Sequence, residues 1–150
     1  MAPSAATQSF KLNHTMLRVK DPEVSLKFYQ DVMGMSLIDE HDGGDFKLFF
    51  LAYEHQNVAH RAQREGILEL TWNKGTEKDD KFAYHNGNDE PQGFGHIAVS
   101  VDNLEESCKR FEELGVRFKK RPQDGKMRSI AFIYDPDNYW IEIIPNMTSK

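Results

Sequence analysis

The chain has 150 residues, of which 39% are hydrophobic and 29% are charged. This size and balance are typical of one compact domain with a buried core. The net charge is −5 with acids and bases scattered, and no apolar run approaches the roughly 20 residues that span a bilayer. We therefore expect neither a membrane partner nor nucleic acid, which needs a basic surface.

The N-terminal residues and the cysteine content favour a cytoplasmic protein. The first ten residues lack the basic and apolar regions of a secretory signal, so we expect residues 1–11 to form a disordered tail. Cys108 is the only cysteine, which excludes an intrachain disulfide and fits a reducing compartment. We interpret Cys108 as a core residue because it falls on the apolar side of a predicted helix.

The first half of the chain is predicted to form a strand, a helix and three strands. Alternating side chains indicate the first strand. An N-cap aspartate followed by proline begins the helix, and a glycine ends it. Aromatic and β-branched runs indicate the later strands. The predicted bounds are 14–19 for the first strand, 21–34 for the helix with Val24, Phe28 and Val32 as its apolar stripe, and 35–39, 46–53 and 66–71 for the last three strands, with a turn at 41–45.

The second half repeats this order of elements. A strand is followed by a helix that Asp102 or Asn103 caps and that ends at Gly115, and three further strands follow. The predicted bounds are 96–101 for the strand, a helix carrying Leu104, Cys108, Phe111 and Leu114, and 116–119, 129–134 and 139–144 for the later strands, with a turn at 135–138.

An internal repeat therefore defines the fold class. The fold is α+β, with two tandem βαβββ modules at about 12–75 and 93–146, joined by a loop within a domain of residues 12–146. Each module can bury only one sheet face under its single helix. The other face is left to curve around something else.

Two histidines and two glutamates occupy matching places in the repeat. His14 and His96 begin the first strands, and Glu69 and Glu142 lie in the last strands between apolar neighbours. Strand alternation directs those neighbours to one face and the glutamates to the other. Any one of the four alone reads as an ordinary strand residue. Four in repeat-related places predict a site for a divalent ion such as Zn²⁺, Ni²⁺ or Co²⁺.

Some of the other polar residues could bind a ligand next to the predicted metal site, and others are expected to be exposed to solvent. Arg18 shares the face of His14, and Asn73 shares the face of Glu69 if its strand continues past 71. They suggest a ligand with anionic and peptide-like ends, although a surface cation and a turn asparagine fit equally well. A basic cluster could receive a small anion or be a solvated loop. That cluster is Lys119, Lys120, Arg121, Lys126 and Arg128, and the histidines expected to be exposed are His41, His55, His60 and His85.

Nearly the whole of residues 14–145 resembles glyoxalase I of the vicinal oxygen chelate superfamily. The resemblance implies two curved mixed sheets around a metal site. The segments that carry it are HTMLRVKDP (14–22), SLKFY (25–29), FFLAYE (49–54), LELT (68–71), YHNGN (84–88), GFGHI (93–97), CKRFEELGV (108–116), DGKM (124–127) and YWIEI (139–143).

The resemblance implies a function and a role for each site residue. The reaction is metal-assisted isomerisation of the methylglyoxal–glutathione hemithioacetal to S-D-lactoylglutathione, with glutathione as co-substrate. One divalent metal serves each site, and homodimers carry the sites between subunits. The ligands are His14, Glu69, His96 and Glu142, the principal base is Glu142 with Glu69 as its mirror for the other stereoisomer, and the substrate contacts are Arg18, Asn73, Lys120, Gly125, Lys126, Met127 and Trp140.

The chain departs from the family pattern at four places. His14 stands where some members carry glutamine, and Gln92 where an arginine often contacts glutathione. Residues 71–75 change the usual order around the asparagine, and Asn138 replaces a turn glycine, which asparagine tolerates. Zinc is favoured over nickel and cobalt because the longer loops at 55–65 and 78–91 resemble the zinc-using members.

Other members of the superfamily remain alternatives. An extradiol dioxygenase would use two histidines and one carboxylate around Fe²⁺ with open positions, whereas four ligands are expected here. A thiol transferase is a second enzymatic alternative. A drug-binding protein on the same scaffold would have no use for four ligands on repeat-related strands.

Overall fold

The computed structural model describes residues 4–56 and 58–146, and it separates into two compact units, one ending at Phe82 and the other beginning at Ala83. Each unit holds one four-stranded sheet and one main helix, as the βαβββ repeat predicts. No helix of the described ranges is long and apolar enough to cross a membrane. The first unit contains β1 (His14–Arg18), α1 (Pro22–Lys27), β2 (Ser36–Asp42), β3 (Phe46–Ala52) and β4 (Ile67–Asn73), and the second contains β5 (His96–Val101), α2 (Leu104–Glu113), β6 (Phe118–Lys120), β7 (Ala131–Tyr134) and β8 (Trp140–Pro145).

The two sheets share one topology. The strand order is β1-β4-β3-β2 in the first unit and β5-β8-β7-β6 in the second. In both, the first strand runs parallel to the last strand of its unit, and the remaining neighbours are antiparallel. The strand that begins with a histidine therefore lies directly beside the strand that carries the glutamate.

The ends of several elements differ from their predicted bounds. The β2–β3 ladder continues to Asp42 opposite Lys47, which shortens the predicted turn to residues 43–45. Strand β7 begins at Ala131 rather than 129, because its ladder with β8 begins there. The predicted modules, 12–75 and 93–146, each lie within one unit. Of the predicted tail, residues 4–10 form hydrogen-bonded turns, and residues 1–3 lie outside the described residues.

Helix α1 begins as predicted, but its buried face is different. Asp21 Oδ1 accepts hydrogen bonds from the backbone N–H groups of Glu23 and Val24 at 2.9 and 3.4 Å. The expected stripe is wrong, because Val24 is 51% exposed while Ser25 and Tyr29 are buried. Ser25 has little side-chain bulk, which suits its fully buried position.

The last turn of this helix is a π-helix, Phe28–Val32, rather than a continuation of α1. The Met33 N–H donates to the Phe28 carbonyl five residues back at 3.1 Å, which widens the turn. Tyr29 and Met33 are both buried on the inner side. Gly34 ends the segment as predicted, with a φ of +75° that favours glycine.

Helix α2 follows its prediction more closely. Asn103 is the N-cap, and its side chain accepts a hydrogen bond from the Glu106 N–H at 3.1 Å. Cys108 and Phe111 are buried, whereas Leu114 is 50% exposed because it lies at the C-cap. Burial raises the pKa of the Cys108 thiol, and the nearby Glu112 carboxylate adds to this. Cys108 is thus a core residue, as predicted.

In both sheets the apolar side chains lie on one face of the last strand and the glutamate on the other, as strand alternation predicts. Leu68 and Leu70 are buried on either side of Glu69, and Ile141 and Ile143 are fully buried on either side of Glu142. The two glutamates are only partly buried, on the opposite face of their strands.

Candidate metal centre

The first histidine and glutamate are brought together by the parallel pairing of β1 with β4. In this register Met16 lies opposite Glu69, and Ile67 opposite His14. The His14 Nε2 atom is 3.0 Å from Glu69 Oε2, and the two side chains are 39% and 12% exposed. Residues far apart in sequence thus form a close pair with one accessible side.

The second unit forms the same pair. Strand β5 runs parallel to β8 with Ala98 opposite Glu142. The His96 Nε2 atom is 3.1 Å from Glu142 Oε2, and the side chains are 39% and 21% exposed. The repeat predicted from the sequence is therefore present as two matching histidine–glutamate pairs.

The donor atoms of each pair suit a divalent ion. An imidazole nitrogen and a carboxylate oxygen are ordinary zinc ligands at about 2.0–2.2 Å. Within residues 4–56 and 58–146, no group of three His, Cys, Asp or Glu side chains is arranged to hold a metal. Each unit by itself brings together one histidine and one glutamate, and the ligand set of four stays a prediction.

An aromatic ring lies beside the first pair. The Phe50 ring meets the His14 ring edge-on at 6.1 Å, and Phe50 lies opposite Glu69 in the β3–β4 ladder. Phe50, Ala52 and Ile67 form a buried cluster. Sequence reasoning did not single out Phe50, because the long connection between β3 and β4 does not predict their register.

Aromatic rings line the second pair. The Phe132 ring lies 5.2 Å from the His96 ring and 5.9 Å from the Trp140 ring. Trp140 is opposite His96 in register, and the Lys119 Nζ atom lies 5.1 Å from its ring centre. Trp140, expected in an apolar pocket beside the reacting carbons, thus lies next to His96, and its role in a pocket stays a prediction. Sequence reasoning did not single out Phe132, although the predicted turn at 135–138 indicates that its strand lies beside β8.

Arg18 and Asn73 lie at the other end of the first sheet's site face. Strand β4 does continue to Asn73, which fulfils the condition for its sharing the face of Glu69. Arg18 and Asn73 are exposed. Each is four residues beyond its metal-ligand candidate, about 13 Å along the strand. This spacing suits a ligand that extends away from the histidine–glutamate pair.

The basic cluster of the second unit divides into different roles. The Lys120 ammonium donates to the backbone carbonyls of Arg121, Met127 and Ile130 at 3.1, 2.5 and 3.1 Å. These three bonds use its three protons and hold the loop before β7. Lys126, by contrast, is exposed on that loop, beside Gly125 and Met127.

The remaining sequence expectations concern exposure and turns. Asn138 has a φ of +67°, the left-handed conformation expected of a glycine replacement. Gln92 is exposed and precedes the strand that begins at His96. The four histidines outside the repeat are exposed, as predicted: His41, His55, His60 and His85.

Comparison with known proteins identifies relatives over almost the whole chain. The family model of the Glyoxalase/Bleomycin resistance protein/Dioxygenase superfamily matches residues 11–143. A lactoylglutathione lyase of Pseudomonas putida is 50% identical, covering 93% of this chain and 87% of that protein. A lactoylglutathione lyase of Schizosaccharomyces pombe is 51% identical over the whole chain, which spans 52% of that longer protein.

Solved structures agree with this assignment. The trypanothione-dependent glyoxalase I of Leishmania major superposes with a TM-score of 0.73 at 30% identity, covering 93% of this chain and 89% of that one. Glyoxalase I of Zea mays gives 0.70 at 27% identity, covering 89% of this chain and 44% of that one. The chain therefore belongs to the Glyoxalase/Bleomycin resistance protein/Dioxygenase superfamily, in the group of the lactoylglutathione lyases (glyoxalase I).

Proposed function

We propose that the chain isomerises the hemithioacetal of methylglyoxal and glutathione to S-D-lactoylglutathione, in the cytoplasm. The observation that carries the proposal is the histidine–glutamate pair at matching places in both sheets, with N–O distances of 3.0 and 3.1 Å. Relatives at about half identity that are named lactoylglutathione lyases support the same reaction.

The ligands of the proposed metal are His14, Glu69, His96 and Glu142, with one divalent ion, zinc, per site. When bound, such an ion acts as a Lewis acid toward the substrate oxygens. Because each unit supplies two ligands, both pairs are needed for a complete set. We propose that a homodimer assembles the site from His14 and Glu69 of one chain and His96 and Glu142 of the other.

The residues themselves suggest which glutamate is the principal base. The Thr71 hydroxyl donates to Glu69 Oε1 at 3.3 Å, which holds that carboxylate in place. The matching position after Glu142 is Ile144, whose side chain has nothing to donate. Glu142 is also the more exposed of the two. These differences favour Glu142 as the residue that takes a proton from one carbon and returns it to the next, with Glu69 serving the other stereoisomer.

The apolar surroundings serve this proton transfer. A proton held on a carboxylate between the two steps is lost if water reaches it. Phe50 lies against the first pair, and Phe132 and Trp140 line the second. These side chains limit water at the carboxylates in each unit and offer an apolar surface to the small carbon portion of the substrate.

Glutathione is expected to contact polar groups at a distance from this chemistry. We assign its γ-glutamyl end to Arg18 and Asn73, which lie about 13 Å along their strands from the first pair. Its glycine end is assigned to Lys120, Gly125, Lys126 and Met127. Since the Lys120 protons already hold the loop, Lys126 is the cation with the more accessible charge.

An assay with methylglyoxal and glutathione tests the proposed function. Thioester formation should follow addition of the protein, disappear after dialysis against a chelator, and return with zinc. Full recovery with nickel or cobalt but none with zinc would contradict the zinc assignment alone. Metal-loaded protein that forms no thioester would contradict the reaction, and would leave a dioxygenase, a thiol transferase or a drug-binding protein.

Arg18→Ala should mainly weaken glutathione binding. A hydrogen bond to a charged group contributes about 1.5–3 kcal/mol, so we expect KM to rise at least about 10-fold with a smaller change in kcat, because Arg18 is distant from the reacting carbons. Steady-state kinetics with varied hemithioacetal measures this. Lys27→Ala, on the exposed side of α1, is the matched control and should leave KM unchanged. Equal KM values for both variants would remove Arg18 from the binding site.

A further inference from the structure

Asn13 immediately precedes the first metal-ligand histidine and contacts its ring. The Asn13 Oδ1 atom is 2.8 Å from His14 Nδ1. The Asn13 Nδ2 group donates to the backbone carbonyls of Arg61 and Arg64, each at 3.0 Å. The amide therefore joins the start of β1 to the short 3-10 turn at Arg61–Gln63.

The two carbonyl contacts decide how the amide is oriented. Carbonyl oxygens only accept hydrogen bonds, so the group that faces Arg61 and Arg64 must be the NH₂ group, and both of its protons are used. The oxygen of the Asn13 amide then faces His14 and can only accept. His14 Nδ1 must therefore carry a proton, which in a neutral imidazole leaves Nε2 as the nitrogen with a free lone pair.

His14 Nε2 is the nitrogen on the side of the proposed metal site, because it lies 3.0 Å from Glu69 Oε2. A divalent ion bound there would accept the lone pairs of both atoms. A histidine binds a metal through an unprotonated nitrogen, while an oxygen acceptor holds its other N–H. We infer that Asn13 is a positioning residue, which keeps His14 in the Nδ1-protonated tautomer and directs Nε2 toward the metal. The inference rests on the proposed metal site and adds a residue outside the ligand set.

The second unit treats its histidine differently. Gly95 precedes His96 and has no side chain to accept from the ring. Its carbonyl instead accepts a hydrogen bond from Asn88 Nδ2 at 2.8 Å. The His96 ring is held by the edge of Phe132 at 5.2 Å. The residue before His14 thus supplies an amide oxygen that accepts from the ring, and the residue before His96 does not. This contact orients His14 more firmly than His96.

A comparison of Asn13→Ala with Asn13→Asp separates positioning from mere structural support. Both substitutions remove the two donors that bind the Arg61 and Arg64 carbonyls. Only aspartate keeps an oxygen that can accept from His14 Nδ1. A purely structural role would therefore affect both variants alike, and thermal unfolding of the full chain monitors that shared loss.

Two measurements on the whole 150-residue chain report the tautomer and its consequence. Long-range ¹H–¹⁵N spectra of the zinc-loaded chain should show His14 protonated at Nδ1 and bound to the metal through Nε2. The signal is assigned by its loss in His14→Gln. Zinc affinity, from competition with a chelating dye, should fall about 10–100-fold in Asn13→Ala and much less in Asn13→Asp.

The outcomes separate this inference from the proposed function. Wild-type protein that fails to bind zinc would contradict the metal site itself. Zinc binding by the wild type, with equal affinities for the two Asn13 variants or with His14 protonated at Nε2, would overturn the role of Asn13 and leave the proposed function standing.

Discussion

Glu142→Gln should lower kcat by at least about 100-fold, because general-base catalysis contributes about 10²–10⁴ and the amide cannot take up the proton. Glutamine keeps the size of the side chain, and its neighbours Ile141 and Ile143 keep the strand buried, so the fold should be retained. Turnover at saturating hemithioacetal and thermal unfolding are the two measurements.

A matched control and a metal determination separate the loss of the base from the loss of the metal. Glu112→Gln changes an exposed carboxylate of α2 that pairs with Arg121, and it should leave turnover unchanged. Bound metal is measured in parallel, since Glu142 is also a proposed ligand. If Glu142→Gln keeps its metal and more than about a tenth of kcat, a loss below ~1.4 kcal/mol in barrier, another group is the principal base.

Subunit exchange between two inactive variants should restore activity. Glu69→Gln damages the pair in the first unit, and Glu142→Gln damages the pair in the second. In a dimer whose sites combine the first unit of one chain with the second unit of the other, one site of a heterodimer collects both lesions and the other collects none. We therefore expect about half of a wild-type dimer's activity to return per heterodimer.

Differently tagged chains allow the heterodimer to be isolated before the assay. Exchange of each variant with itself is the control, and it should yield no activity above that of the separate proteins. If each site is built within one chain, every site keeps one lesion. Isolated heterodimers without activity would therefore overturn the shared-site arrangement, while the choice of ligands would stand.

Local features of the sequence determined the elements and the candidate ligands. Strand alternation depends only on neighbouring residues, so it correctly separated Glu69 from the buried Leu68 and Leu70. Helix starts at Asp21 and Asn103 were predictable, because an N-cap bonds to N–H groups two or three residues away. The order of elements was predictable from the internal repeat.

Only the tertiary structure decided which faces and strands meet. The buried face of the first helix runs through Ser25 and Tyr29 rather than Val24, because packing within the unit and the π-turn that follows outweigh the apolar pattern. The bonds from Lys120 to three loop carbonyls depend on a loop conformation that no spacing encodes. The same holds for Asn13, whose partners lie some fifty residues away.

The histidine–glutamate pairs depend on both the sequence and the tertiary structure. Their residue types and matching places could be read from the sequence, since duplication preserves both. Their 3.0 and 3.1 Å contacts exist because β1 pairs in parallel with β4, and β5 with β8. Pairing between distant strands is decided by the packing of the whole sheet and its helix, so a local sequence pattern cannot predict it.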